Sequence, residues 1–292
     1  MCIGETIMDR WDDREKADDL NNDGVDLCDQ GQFEEAIKCF DEAIRLNPED
    51  KLVWFHKGLS LCELENYDGA ITCFDEAIKI DSKFSLPWNN RGRALLELER
   101  YEEAIACFDE AIRLNPQYDD AWCFKGVILF GQEKFQESIK CFDEAIRICP
   151  EFAFALNHRG AAMLHLEQFE GTIFYFNKAI RLDPEFANAW HNKGMVLYES
   201  AEYEEAIACY DNAIRLNPEY DDTWHKKGMA LYYIREFDEA IKCYNQAIML
   251  NSDSPDSWHN KGMTFEQLDK HAEALTCYNR AISLKGGLDE SE

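Results

Sequence analysis

Three groups of residues have types and spacings that could do chemistry. Near the N-terminus Asp19, Asn21 and Asp23 alternate oxygen side chains, and Gly24 follows where a calcium-binding loop makes its sharp turn. Such a loop also wants an apolar eighth residue and a glutamate twelfth, where this chain has Asp26 and Gln30. Further on, His191, His225 and His259 are each followed four residues later by a methionine, Met195, Met229 and Met263. Residues four apart share a helix face, so each pair offers an imidazole and a thioether to a soft metal such as Cu(I). One of each is an incomplete set, and a structural zinc site takes four ligands. Finally, cysteine recurs at Cys39, Cys73, Cys107, Cys141, Cys209, Cys243 and Cys277, with Tyr175 breaking the row. No two cysteines stand in a Cys-x2-Cys pair. Equivalent places on stacked helices lie about a helix-packing distance apart, too far for a disulfide. Reduced thiols used as small packing residues are the expectation.

Catalysis needs a few unlike residues converging in one place. Here nearly every polar residue copies one found 34 residues away, and no G-x-S-x-G, phosphate-binding glycine loop or H-E-x-x-H occurs. No enzyme activity, cofactor or metal is expected from these residues. The formal net charge of −28 repels phosphate backbones and anionic lipid heads, so nucleic acid and membrane are poor partners. No apolar run reaches the length of a membrane span, and "MCIGETIMDR" lacks the order of a signal peptide. A soluble, cytoplasmic chain is expected.

The copying has one period. Glycine recurs every 34 residues at Gly24, Gly58, Gly92, Gly126, Gly160, Gly194, Gly228 and Gly262. Four residues earlier stands Leu20, Trp54, Trp88, Trp122, Leu156, Trp190, Trp224 or Trp258. A small residue follows at twelve, from Ala36 to Ala274, an aromatic at sixteen, from Phe40 to Tyr278, and alanine at nineteen, from Ala43 to Ala281. In "YEEAIACFDEAIRLNP" the residues Ala104, Ile105, Phe108, Ala111 and Ile112 make an apolar stripe on a helix that Asn115-Pro116 should stop. "AWHNKGMVLYES" gives a second helical stretch, from Trp190 to about Ser200. Two short helices cannot bury their stripes alone, so neighbouring repeats must stack. Gly24 is thus in phase with seven helical glycines, and a calcium loop would break that phase.

This pattern resembles the tetratricopeptide repeat family, W-x2-L-G-x2-Y…A-x3-F…P, in an N-K-G variety seen in prokaryotic and archaeal members. Eight repeats match: 17–50, 51–84, 85–118, 119–152, 153–186, 187–220, 221–254 and 255–288. Residues 1–16 form an N-terminal extension and 289–292 an acidic tail. The leucine before the glycine is replaced by Lys57, Arg91, Lys125, Arg159, Lys193, Lys227 and Lys261, and by Asp23 in the first repeat. The tyrosine place is mostly aliphatic, as at Leu61, Leu95 and Leu129. The resemblance implies an all-α solenoid, a right-handed superhelix of helix-turn-helix repeats. It further implies a non-enzymatic scaffold that binds a peptide or protein segment in a concave groove lined by the first helices.

Carried over place by place, the resemblance puts in that groove Asn89, Asn90, Arg93, Phe124, Asn157, His158, His191, Asn192, Met195, Tyr198, His225, Met229, Tyr232, His259, Asn260 and Met263. Asn22, Asn90, Asn192 and Asn260 form a partial ladder of amides that could grip a peptide backbone, or be simply hydrated. The lysine, arginine and asparagine set with which some family members clamp a terminal carboxylate occurs in no three consecutive repeats. Repeat one offers mainly Asp18, Asn21, Asn22 and Asp29, so binding is expected in the second half of the groove. The rival readings are a metal-binding protein using the His/Met rows and a helical, non-catalytic subunit of an enzyme complex. The last helix keeps Leu275, Tyr278, Ala281, Ile282 and Leu284 with no further repeat to cover them, which points to packing of this end on another copy, as end-to-end self-association, on a partner or on a further domain. Folding back of Leu288 is the alternative.

Overall fold

The computed structural model describes the backbone of residues 2–286 and the side chains of residues 13–286. The expected acidic tail, Gly287 and Leu288 lie outside the described residues. All regular structure among them is α-helix, and the chain divides into two compact units, residues 1–150 and 151–292. The first unit runs α1 (Cys2–Asp29), α2 (Phe33–Leu46), α3 (Lys51–Glu63), α4 (Tyr67–Ile80), α5 (Ser85–Glu97), α6 (Tyr101–Leu114), α7 (Asp119–Gly131) and α8 (Phe135–Ile148). The second runs α9 (Ala153–His165), α10 (Thr172–Leu182), α11 (Ala187–Glu199), α12 (Tyr203–Leu216), α13 (Asp221–Tyr233), α14 (Phe237–Leu250), α15 (Pro255–Gln267) and α16 (His271–Gly286). Within each unit an odd-numbered helix packs on the even-numbered helix that follows, and each pair stacks on the next, which makes an all-α solenoid.

The period-34 residues explain why the pairs close. A Cβ placed on Gly58 would stand 2.5 Å from the Phe74 ring, and each of the other seven glycines meets the aromatic sixteen residues on in the same way. Only a bare Cα lets the two helices of a repeat approach over that ring. Phe40, Phe74, Phe108, Phe142, Phe176, Tyr210 and Tyr244 are buried beneath these glycines, with the alanines at nineteen beside them. The helix ending expected at Asn115-Pro116 is where α6 ends, with Asn115 leaving helical geometry at φ −137° and ψ 92°.

The tryptophans tie repeat to repeat. Trp54 Nε1 donates to the Pro48 carbonyl at 2.9 Å, and Trp122, Trp190 and Trp224 donate to the carbonyls of Pro116, Pro184 and Pro218. The basic residues that replace the family's leucine reach back to the preceding second helix. Lys57, Lys125 and Lys227 pair with Asp41, Asp109 and Asp211 at 2.5 Å, and Arg91 pairs with Asp75 at 2.8 Å. Lys57, Lys193, Lys227 and Lys261 also lie 5.0–6.0 Å from the ring of the tryptophan three residues earlier.

Two details depart from the repeat. The first helix runs back to Cys2, so residues 2–16 prolong α1. In repeat five, Gly171 takes φ 77° and α10 starts at Thr172, giving 11 residues where its counterparts mostly have 14. The Thr172 hydroxyl donates to the Gln168 carbonyl at that start.

Candidate functional site

Two geometries recur where consecutive first helices meet. One is a closed seam. Counting each repeat from its first residue, place five of one repeat faces places two, three and six of the next. His56 Nδ1 lies 2.9 Å from Asn21 Oδ1, and Asn192 Nδ2 donates to Asn157 Oδ1 at 3.0 Å. His191 Nδ1 lies 2.9 Å from Thr223 Oγ1 and its Nε2 lies 3.4 Å from Asp222 Oδ2. His225 Nδ1 lies 2.8 Å from Ser257 Oγ, and Asn260 Nδ2 faces its Nε2 at 3.4 Å. Burial works to raise the Asp222 pKa and is the largest single influence, yet the hydrogen bond and charge of His191 together with the charges of Lys226 and His225 outweigh it and hold the carboxyl below its ordinary value. Burial pushes His56, His158 and His225 down, so their rings are neutral near pH 7.

This seam corrects part of the expected groove. Asn89, Asn157 and His191 are buried and present no surface to a ligand, and Asn157 and His191 hold one repeat to the next. The carry-over assigned place five to the groove, but helix–helix packing turns it inward. His259 has the same place in the last repeat and is exposed, with its ring 5.3 Å from that of Tyr278. Both nitrogens of His191 and of His225 already have partners, so neither is offered to a metal. Asp19, Asn21 and Asp23 lie within the continuous helix α1, where alternate residues point to different sides, so they form no loop. Among the described residues no group of three or more His, Cys, Asp or Glu side chains is placed to hold a metal ion.

The other geometry is an open recess. In the second unit Met229, Tyr232, Tyr233, Asn260 and Met263 line a cavity of about 60 Å³ floored by Tyr244. Tyr233, 54% exposed, stacks on Tyr203 at 4.9 Å and meets Tyr198 edge-on at 5.7 Å. Burial raises the Tyr198 pKa, and the neighbouring Tyr233 adds to the shift. In the first unit Asn90 and Arg93 line a cavity of about 160 Å³ with Cys62, Tyr67, Glu63 and Glu97. Arg93 also lies 5.1 Å over the Phe124 ring. His158 is half-buried, its Nδ1 2.9 Å from the Phe154 carbonyl. Met195 is half-buried against the core beneath Leu197 and Tyr210. The amide ladder is partly engaged, since Asn90 Nδ2 donates to the Leu86 carbonyl of its own helix.

The expectation that repeat one offers mainly polar residues does not hold. Val25, Cys28 and Phe33 join His56, Leu59 and Ser60 around a cavity of about 390 Å³, with Asp29 and Glu63 on its wall. Val25 and Leu59 stand where Arg93, Met229 and Met263 stand in their own repeats, so the period could have found them.

The described cysteines, from Cys28 to Cys277, are free thiols. Burial pushes the Cys73 and Cys141 thiols up to about 11, which keeps them neutral and unreactive. The face opposite the interior of the last repeat is open, with Leu275 60% and Ile282 68% exposed on α16, whereas Tyr278 is half-buried and donates to Glu266 at 2.9 Å. Among the described residues no helix is long and apolar enough to cross a membrane.

Family models described as tetratricopeptide repeat match residues 24–83 and 89–151 in one form and 187–220, 222–254 and 255–286 in another. No curated protein sequence matches the chain. Among solved structures, YrrB, described as a TPR protein with an unusual peptide-binding site, is 23% identical with TM-score 0.55, covering 64% of this chain and 97% of its own. A chain of the APC/C hetero-tetramer Cut9-Hcn1 is 17% identical with TM-score 0.66, covering 86% of this chain and 50% of its own. MamA residues 41 to the end, from Desulfovibrio magneticus RS-1, is 22% identical with TM-score 0.53, covering 59% of this chain and 97% of its own. Identities this low speak for the fold alone. Family models across both units, the glycine–aromatic pairs and the paired helices agree: the chain belongs to the tetratricopeptide repeat family, whose arrays are generally non-catalytic protein-interaction scaffolds.

Proposed function

We propose that this chain is a non-enzymatic scaffold that binds a peptide or protein segment along the face lined by its first helices. The observation that carries the reading is the recurring recess between consecutive first helices, at Val25 and Leu59 in one unit and at Met229 and Met263 in the other. Each recess combines an apolar floor with a few polar groups at its rim, the composition of a side-chain pocket. Flexible methionines and amphipathic tyrosines suit a varied partner. The repeated polar residues converge on no catalytic set. Histidines engaged in the seams weigh against the metal-binding reading.

Selection of a random decapeptide library on the immobilised full chain tests the proposal. Peptides are expected to be enriched, and Tyr233→Ala or Leu59→Ala to weaken their binding about tenfold. No enrichment, or enrichment untouched by both variants, would overturn it.

Self-association through the last repeat is a second proposal, supported by the exposure of Leu275 and Ile282. Sedimentation over a wide concentration range should show association that Ile282→Glu abolishes. A strict monomer at high concentration removes this reading.

A further inference from the structure

We propose that the recess between the first two repeats takes a lysine or arginine side chain of the bound peptide, its stem on Val25, Phe33 and Leu59 and its cation between Asp29 and Glu63. The inference rests on the peptide-binding reading above and names the partner's chemistry.

The cavity of about 390 Å³ falls in the size range of ligand pockets. Its other polar groups are already engaged. Cys28 Sγ lies 3.0 Å from Ser60 Oγ, Ser60 Oγ donates to the His56 carbonyl at 3.1 Å, and the His56 ring is held by Asn21. The Asp29 and Glu63 carboxylates take no hydrogen bond or ion pair from any described residue, and both side chains are exposed. An apolar floor under two unpaired carboxylates suits a side chain with a long methylene stem and a cationic tip. A neutral apolar residue would fill the floor and leave the carboxylates idle, and an acidic one would be repelled.

The neighbouring recess supports the same chemistry. It shares Leu59 and Glu63 and adds Glu97, and Arg93 lines it beside these carboxylates. Arg93 stands 34 residues after Leu59, at the same place of the next repeat. The first recess therefore has the acidic wall without the resident guanidinium. The net charge of −28 would draw a basic segment toward it.

The library selection described above decides the point when run in parallel on the full-length Asp29→Asn/Glu63→Gln double variant and on Leu59→Arg. Both carboxylates are exposed, so the double variant should fold, and its circular dichroism spectrum should match that of the wild type. Leu59→Arg would place an internal cation like Arg93. Enriched peptides are expected to carry Lys or Arg beside an apolar residue. Their affinity should fall about tenfold or more in both variants and when that basic residue is replaced by norleucine. Enriched peptides without a basic residue, or with equal affinity for the double variant, would sink this inference and leave the peptide-binding reading standing. No enriched peptide at all would sink both.

Discussion

The Nδ1 of His191 lies 2.9 Å from the hydroxyl of Thr223 in the following repeat, and both side chains are buried. Removing that hydroxyl leaves a buried ring nitrogen unsatisfied. Thr223→Val should therefore destabilise the fold by about 1–3 kcal/mol. His259→Ala, at the same place in the last repeat but exposed, should stay within about 0.5 kcal/mol. Urea midpoints of the two variants check the contrast, and equal shifts would refute the seam.

The glycine over the buried ring gives a second contrast. Gly58→Ala gains helix propensity of about 1 kcal/mol but must displace Phe74, and overpacking costs about 1–3 kcal/mol. A net loss is expected. Gly131→Ala, with nothing within 4 Å of the new methyl, should gain about 0.5–1 kcal/mol instead. Thermal midpoints moving in opposite directions confirm the account.

The turn inside each repeat holds a residue in left-handed geometry. Glu99 has φ 56° and Arg235 has φ 67°, where repeat one has Gly31 at 73°. A side chain there costs about 1–2 kcal/mol relative to glycine, and the freer unfolded chain of a glycine variant offsets part of it. Glu99→Gly should raise the thermal midpoint and Gly31→Ala should lower it.

Protonation of the seam histidines should weaken the fold in acid. Burial, chiefly, lowers the pKa of His225 and of His56 below 6.5. The unfolded chain then binds more protons than the folded one once pH falls through about 6.5, so stability is present above that pH and lost below it. Lower pH also reduces the mutual repulsion of the acidic surface, which acts the other way. The difference between the wild type and His225→Gln, followed by thermal midpoint from pH 7.5 to 5, isolates the histidine. The wild type should lose its advantage over that interval.

What the sequence determined by itself was the repeat. The period of 34, the glycine paired with an aromatic sixteen residues on, and the Asn-Pro stops specify two helices and their mutual packing, because those contacts lie inside one repeat and depend on local spacing. The turn residues at Glu65 and its counterparts escaped that reading, since nothing in a glutamate announces a positive φ. Tertiary structure decided what happens between repeats. The angle at which one pair of helices meets the next set whether place five was groove or seam, and it buried Asn89, Asn157 and His191. The same angle brought Asp41 to Lys57 and opened the recess at Val25, Phe33 and Leu59. Side-chain identity gives the face of a helix, but the partner that covers that face depends on the packing of neighbours, which a single-repeat pattern does not encode.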